Sequence, residues 1–98
     1  MTINKKQEGT KVILNIEGRL DTTTAPELEA AFNECLSAAN ELELDFKELE
    51  YVSSAGLRVL LNAQKQMGKK GGMVVRNVNE MVMEVFEVTG FVDILTIE

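Results

Sequence analysis

The stretch Glu43–Leu61, ELDFKELEYVSSAGLRVLL, decides the fold of this chain. It opens with apolar residues at alternate positions, a pattern typical of a strand with one buried face. It closes with apolar residues at helical spacing, and Ser53 and Ser54 lie where that helix is predicted to begin. Gly56 falls in the first helical turn, where a glycine costs roughly 1 kcal/mol relative to alanine. Because such breaks of local propensity tend to mark working surfaces, this helix start is a candidate functional site.

The residues before this stretch predict two strands and a helix. Thr2–Glu8 alternates weakly, and a turn links it to the stronger strand Lys11–Glu17, which Gly18 is expected to end. A loop then leads to a helix over Ala25–Ala39, with Thr24 as its N-cap because a proline and a glutamate follow at the favoured positions.

Within and beyond the deciding stretch, strands and helices continue to alternate. The pattern predicts a strand over Glu41–Phe46, a polar link over Lys47–Glu50 and a helix over Ser54–Lys69. A short strand is expected over Met73–Arg76. The chain is then predicted to end in a helix and a strand.

The last helix is expected to begin at Asn77, because Glu80 three residues later would complete a capping box. It should reach Val88 and stop at Gly90, and a short strand is expected over Phe91–Ile97. The order β-β-α-β-α-β-α-β predicts one α/β domain over residues 1–98, with a mixed sheet of four to five strands packed against three to four helices. Parallel crossovers and one antiparallel hairpin at the start follow from this order.

Composition argues against several classes of function. The net charge is −6 and the only dense basic pair lies in an evident turn, Gly68–Gly72, so nucleic-acid binding is not expected. Histidine is absent and Cys35 is the single cysteine, so neither a zinc site nor an activated thiol is expected, and Cys35 is predicted to be a buried apolar residue. No apolar run approaches the ~18 residues of a membrane span, and no signal peptide is evident, which predicts a cytoplasmic protein.

The residues alone leave two interpretations of the helix start open. One serine can act as an N-cap, worth about 1 kcal/mol relative to alanine, while the other has no role; alternatively the hydroxyls form a functional surface. Gly56 can let a partner approach the backbone, or it can let the helix lie close on the sheet. Met83 falls off the apolar stripe of the last helix and is expected to be an exposed contact.

Three segments together resemble the STAS domains of anti-sigma factor antagonists. Residues 53–57, SSAGL, are similar to the signature at the start of that family's second helix. Residues 18–28, GRLDTTTAPEL, and residues 85–91, VFEVTGF, resemble two further elements of the family in the same order. The resemblance covers nearly the whole chain.

The resemblance implies a STAS-like fold and a binding protein rather than an enzyme. In this family the unphosphorylated form binds an anti-sigma factor that is also a serine kinase, and phosphorylation abolishes binding. The phosphoacceptor lies two residues before the glycine, which is Ser54 here. Ser53 stands where many members have an aspartate, so it is a possible second acceptor. The partner-binding residues that the resemblance implies are Asp21, Thr22, Thr23, Ser53, Ala55, Gly56 and Leu57.

The expected partners are therefore an anti-sigma factor serine kinase and a serine phosphatase, with no cofactor or metal of the chain's own, no nucleic acid and no membrane. Asp21 is expected on the same edge as Ser54, because loops that follow parallel strands gather at one end of a sheet. The alternatives are a STAS scaffold or interaction module in a sensory or transport assembly, and a weak nucleotide-binding module.

Overall fold

The first two strands form an antiparallel hairpin at one edge of a five-stranded sheet. In the computed structural model, which describes residues 1–98, β1 spans Thr2–Glu8 and β2 spans Lys11–Leu20. The remaining strands are β3 (Glu41–Asp45), β4 (Leu49–Val52) and β5 (Met73–Arg76). The strand order is β1-β2-β3-β5, with β4 paired to β2, and every pairing other than β1–β2 is parallel. The predicted mixed α/β architecture is confirmed.

Three α-helices connect or follow the parallel strands: α1 over Ala25–Cys35, α2 over Ser54–Met67 and α3 over Glu80–Thr89. Alternate residues of β2, β3 and β5 are buried, and their neighbours on the other face of the sheet are half-buried or exposed. The buried residues form one hydrophobic cluster of 24, which the helices complete. None of the three helices combines the length and the hydrophobicity needed to cross a membrane.

The expected end of β2 at Gly18 is wrong, and so is the polar link at Lys47–Glu50. β2 continues to Leu20 through an irregularity at Gly18, whose φ of +100° favours glycine. Beyond it β2 pairs with β4. The sequence did not predict β4, because the residues on either side of Leu49 are polar. β3 and β4 thus lie along the same side of β2 as one interrupted strand, and β4 delivers the chain to the start of α2.

Further corrections fall in the last quarter of the chain. Asn79, not Asn77, is the N-cap of α3, since its side-chain oxygen accepts from the Val82 N–H at 2.8 Å. Asn77 adopts a left-handed φ of 60° instead, and its amide donates to Asp45 at 2.9 Å. Gly90 ends α3 with a φ of 82°, as predicted.

Phe91–Ile97 is not a strand. Its first three residues form a 3₁₀ helix, and only Ile97 makes an isolated parallel bridge, to Val75 of β5. The expected exposure of Met83 is also wrong, because Met83 is half-buried and packs against the core. Val82 and Phe86 set the buried side of α3, and Met81 points outward with 62% of its surface exposed.

The helix ends also differ from the expected limits. α1 ends at Cys35, four residues early, and a turn follows. The ammonium of Lys70 donates to the carbonyl oxygens of Leu36 and, at 2.8 Å, Ala39. A cation at this position stabilises the unpaired carbonyl groups at the end of α1.

Candidate functional site

Ser53 caps the start of α2. Its backbone is extended, with φ −99° and ψ 175°, and its hydroxyl oxygen accepts from the Gly56 N–H at 3.4 Å. Its carbonyl oxygen accepts the first helical hydrogen bond, from Leu57 at 2.9 Å. Ser53 is half-buried. The Ser53 hydroxyl therefore acts as the N-cap of α2, the role that the sequence allowed for one of the two serines.

Ser54 is the first residue of α2 and is exposed. Its hydroxyl takes part in none of the side-chain hydrogen bonds, and the backbone N–H groups of Ser54 and Ala55 have no acceptor. Free N–H groups at the positive end of a helix dipole favour a negative charge beside them. The residue thus combines an accessible hydroxyl with a local environment that suits an anion.

Gly56 lies beneath this surface rather than on it. It is buried, and a Cβ there would lie 2.6 Å from Cγ of Leu20 and 3.0 Å from Cγ2 of Val52. Close approach of α2 to the ends of β2 and β4 therefore accounts for the glycine. Leu57 is also buried, with 7% of its surface exposed. Of the motif, only Ser53, Ser54 and Ala55 reach solvent.

Asp21 organises the loop between β2 and α1. Its Oδ1 accepts from the N–H groups of Thr23 at 3.0 Å and Thr24 at 3.1 Å. The bond from the Thr24 N–H is the main influence that lowers the pKa of Asp21 below its ordinary value, although desolvation opposes it. The Thr24 hydroxyl does not cap α1; it donates to the Arg19 carbonyl at 2.7 Å and accepts from the Asp21 N–H at 2.8 Å. Thr22 and Thr23 are left exposed on the loop.

The two loops meet because the strands before them are in register. Leu20 of β2 is paired with Val52 of β4, so Asp21 and Ser53 leave the sheet side by side. The guanidinium of Arg19 lies 4.3 Å from the ring centre of Tyr51 on the neighbouring strand. The sequence predicted that Asp21 and Ser54 would share an edge, and the structure brings their loops together there.

A groove between α1 and α2 adjoins Ser54, and the sequence analysis did not identify it. It encloses about 490 Å³ and is lined by Thr22, Ala25, Pro26, Glu29, Ala55, Arg58, Val59 and Asn62. Arg58 is exposed and forms no ion pair. It lies one helical turn after Ser54, and side chains on a helix lean toward its N-terminus. In the sequence, the spacing of four residues between Ser54 and Arg58 is the signal that could have identified Arg58 as part of the site.

One family model matches this fold and motif. The model described as "Mlab, STAS domain" matches residues 3–96, nearly the whole chain. The chain belongs to the STAS domain family. The resemblance seen in the three sequence segments is thereby confirmed.

Named proteins of similar sequence and structure agree with STAS membership. The anti-sigma-B factor antagonist of Bacillus subtilis (strain 168) is 29% identical over 98 residues, which are 99% of this chain and 90% of the relative. An anti-sigma factor antagonist from Mycobacterium paratuberculosis has a crystal structure with a TM-score of 0.89 at 23% identity, covering 98% of this chain and 83% of that one. The phosphorylated form of the Bacillus cell fate determinant SpoIIAA has a TM-score of 0.76 at 16% identity, covering 99% and 91%. At these identities the two structures show the fold.

Cys35 and the turn Gly68–Gly72, the other features that the sequence of this STAS domain offered, have structural roles. Cys35 is fully buried, and burial raises the pKa of its thiol. Gly68–Gly72 forms the predicted turn, in which Lys70 binds the end of α1. No three carboxylate or thiol side chains lie close enough together to hold a metal ion.

Proposed function

We propose that this STAS domain is an anti-sigma factor antagonist, a binding protein and not an enzyme, that is switched off by phosphorylation of Ser54. The observation that carries the proposal is the exposed, unbonded hydroxyl of Ser54 at the start of α2, beside the loop of Asp21. The unphosphorylated surface would bind an anti-sigma factor that is also a serine kinase. A serine phosphatase would restore the hydroxyl. The proposal implies a cytoplasmic location, where sigma factors and ATP are found.

The phosphoryl transfer would use groups that the kinase supplies. The Ser54 oxygen would attack the γ-phosphorus of a magnesium-bound ATP, and the bond from that phosphorus to the β–γ bridging oxygen would break. ADP would leave, and the hydroxyl proton would pass to a base on the kinase. This chain would supply only the acceptor oxygen.

The difference between the two serines supports Ser54 as the acceptor. The Ser53 hydroxyl accepts the cap hydrogen bond from Gly56 and is half-buried, whereas Ser54 has no such engagement. A phosphoryl group on Ser53 would have to displace the cap. On Ser54 it would lie next to two free N–H groups, which stabilise an anion at a helix start by about 0.3–1 kcal/mol.

The same charge would oppose binding. A phosphoserine carries about −1.5 to −2 charges at neutral pH. Buried in an interface without a counter-charge, it costs about 3–5 kcal/mol, which corresponds to at least a hundredfold loss of affinity. Phosphorylation would therefore leave the fold intact and release the partner.

Four proteins test the proposal: wild type, Ser54→Ala, Ser54→Asp and Ser53→Ala, each mixed with an anti-sigma serine kinase encoded in the same genome and with ATP. Intact mass should show one added phosphoryl group on wild type and Ser53→Ala, and none on the two Ser54 variants. Calorimetry should give wild-type affinity for Ser54→Ala and weak binding for Ser54→Asp. Phosphorylation that Ser53→Ala abolishes and Ser54→Ala preserves would refute the site, and equal binding of all four proteins would refute the switch.

A further inference from the structure

Charge is distributed unevenly along the chain. Residues 1–76 contain eleven acidic and ten basic residues, whereas residues 77–98 contain five acidic residues and no basic one. Glu98 pairs with Arg76 at 3.0 Å. The other four acidic residues of this segment form no ion pair: Glu80, Glu84, Glu87 and Asp93. The net charge of the protein is therefore concentrated on α3 and the segment after it.

The same region carries the exposed apolar surface. Only four large hydrophobic side chains of the protein are exposed, and all of them lie here: Met81 (62%), Val88 (81%), Val92 (41%) and Ile94 (43%). Met81 and Val88 line a shallow depression of about 280 Å³ together with Glu84, Val85 and Thr89. Single exposed apolar residues are common on protein surfaces, but here all four lie in one segment and two of them line the same depression, which indicates an interaction site.

The apolar and acidic side chains form two adjacent rows on α3. Met81, Val85 and Val88 follow one another at spacings of four and three residues. The acidic row has the same spacing, one residue earlier: Glu80, Glu84 and Glu87. Residues so spaced lie on one side of a helix, and a shift of one residue turns the row by about 100°, so the rows run side by side.

Glu80 suits the first turn of α3, but Glu84 and Glu87 work against the stability of the helix. Like charges three or four residues apart destabilise a helix, and Glu87 lies in the last turn, at the negative end of the dipole. No basic residue in that turn compensates. Local rules broken in this way tend to mark functional surfaces.

We propose that α3 is a second docking surface, which binds an amphipathic helix of a partner protein that carries lysine or arginine beside its apolar side chains. Burial of the apolar row would supply affinity, and the carboxylates would select a basic partner. A second copy of this chain would bring the same four unpaired carboxylates to the contact. Anionic lipid and nucleic acid would be repelled by the same charge. The proposal does not depend on Ser54, which lies on another element.

The test uses a synthetic 18-residue helix of leucine and lysine, with a leucine and glutamate helix of the same pattern as the control. In amide NMR titrations the lysine peptide should shift resonances of α3 and residues 91–94, and affinity should fall as salt is raised. The glutamate peptide should shift none. Shifts that map to the open face of the sheet or to the Asp21 loop instead would overturn the proposal.

Two pairs of substitutions separate the apolar contribution from the charge. Met81→Gln with Val88→Gln changes two exposed side chains and should weaken the lysine peptide at least tenfold. Glu84→Gln with Glu87→Gln should also weaken it and reduce the salt dependence. Glu27→Gln with Glu34→Gln changes the net charge equally at two exposed positions of α1 and should have no effect. If both charge pairs lose the same affinity for the lysine peptide, a specific surface on α3 is refuted. If the wild type self-associates and the apolar pair of substitutions abolishes this, the occupant of the surface is a second copy of the chain and not a basic helix.

Discussion

The backbone N–H of Ser53 donates a hydrogen bond to the carbonyl oxygen of Leu20 over 2.8 Å. This bond ties the end of β4 to the end of β2, just before each strand gives way to a loop. The loop of Asp21 and the start of α2 are therefore held as one unit by backbone pairing, independently of their side chains. Substitutions at Ser53 or Ser54 can then be compared on an unchanged frame.

Ser53→Ala should destabilise the protein, and Ser54→Ala should not. The first substitution removes the acceptor for the Gly56 N–H, a loss that typically costs about 1 kcal/mol. The second removes an exposed hydroxyl without a partner, so its effect should stay within about 0.5 kcal/mol. Urea denaturation of both variants measures the difference. A larger loss for Ser54→Ala would mean that its hydroxyl, and not that of Ser53, supports the helix.

Gly56→Ala should destabilise the protein although alanine is the better helix former. The new methyl group would lie 2.6 Å from Cγ of Leu20, and overpacking of this kind costs about 1–3 kcal/mol. The gain in helix propensity, about 1 kcal/mol, does not offset the upper part of that range. In a Leu20→Ala background the same substitution should cost less, because space is available. A stabilised Gly56→Ala protein would contradict the packing explanation.

Asp21→Asn should reduce the dependence of stability on acid pH. Hydrogen bonds from Thr24 and Thr23 hold the pKa of Asp21 below its ordinary value in the folded protein. The stability due to this carboxylate is therefore complete above the unfolded pKa of about 3.9 and is lost as pH falls through the lower folded pKa. Asparagine keeps an acceptor oxygen but does not titrate, so unfolding free energies measured from pH 7 to pH 2 should fall less steeply. An identical slope for wild type and Asp21→Asn would refute the prediction.

Lys70→Met should destabilise the protein by about 1 kcal/mol, a typical net value for a hydrogen bond. The substitution leaves the carbonyl groups of Leu36 and Ala39 without their cation. Lys69→Met is the matched control, because the Lys69 side chain has no hydrogen-bond partner and is exposed. Thermal unfolding of the two variants compares them directly. Equal melting temperatures would show that Lys70 does not stabilise the end of α1.

Arg58 should lower the second pKa of a phosphoserine placed at position 54. A pair of opposite charges four residues apart on a helix is worth about 0.3–0.5 kcal/mol, which corresponds to about 0.2–0.4 pKa units. The measurement is a ³¹P NMR pH titration of wild type, Arg58→Gln and Arg58→Lys, each carrying phosphoserine at that position. The glutamine variant should titrate at higher pH, and the lysine variant should stay near wild type. Identical curves for all three would exclude contact between Arg58 and the phosphate.

Sequence patterns predicted the strands and helices whose apolar residues repeat over several turns or pairs. β2 and α2 are of this kind, and the hydroxyls at the start of α2 could be recognised from the residues around them. β4 could not, because its buried residues Leu49 and Val52 do not alternate and its pairing with β2 runs through the irregularity at Gly18. The local pattern favours Asn77, because Glu80 follows three residues later, but Asn77 takes up the left-handed turn after β5 and Asn79 becomes the cap. The groove beside Arg58 depends on the packing of α1 against α2, which no local pattern contains.

The bridge between Val75 and Ile97 covers an edge of the sheet. The Val75 N–H donates to the Thr96 carbonyl at 2.8 Å, and the Glu98 N–H donates to the Val75 carbonyl at 2.9 Å, so the outer border of β5 is already occupied. The opposite border, β1, is open but carries the adjacent lysines Lys5 and Lys6, which discourage the addition of foreign strands. Aggregation by edge-to-edge strand pairing is thus blocked on one side by the chain itself and on the other by charge.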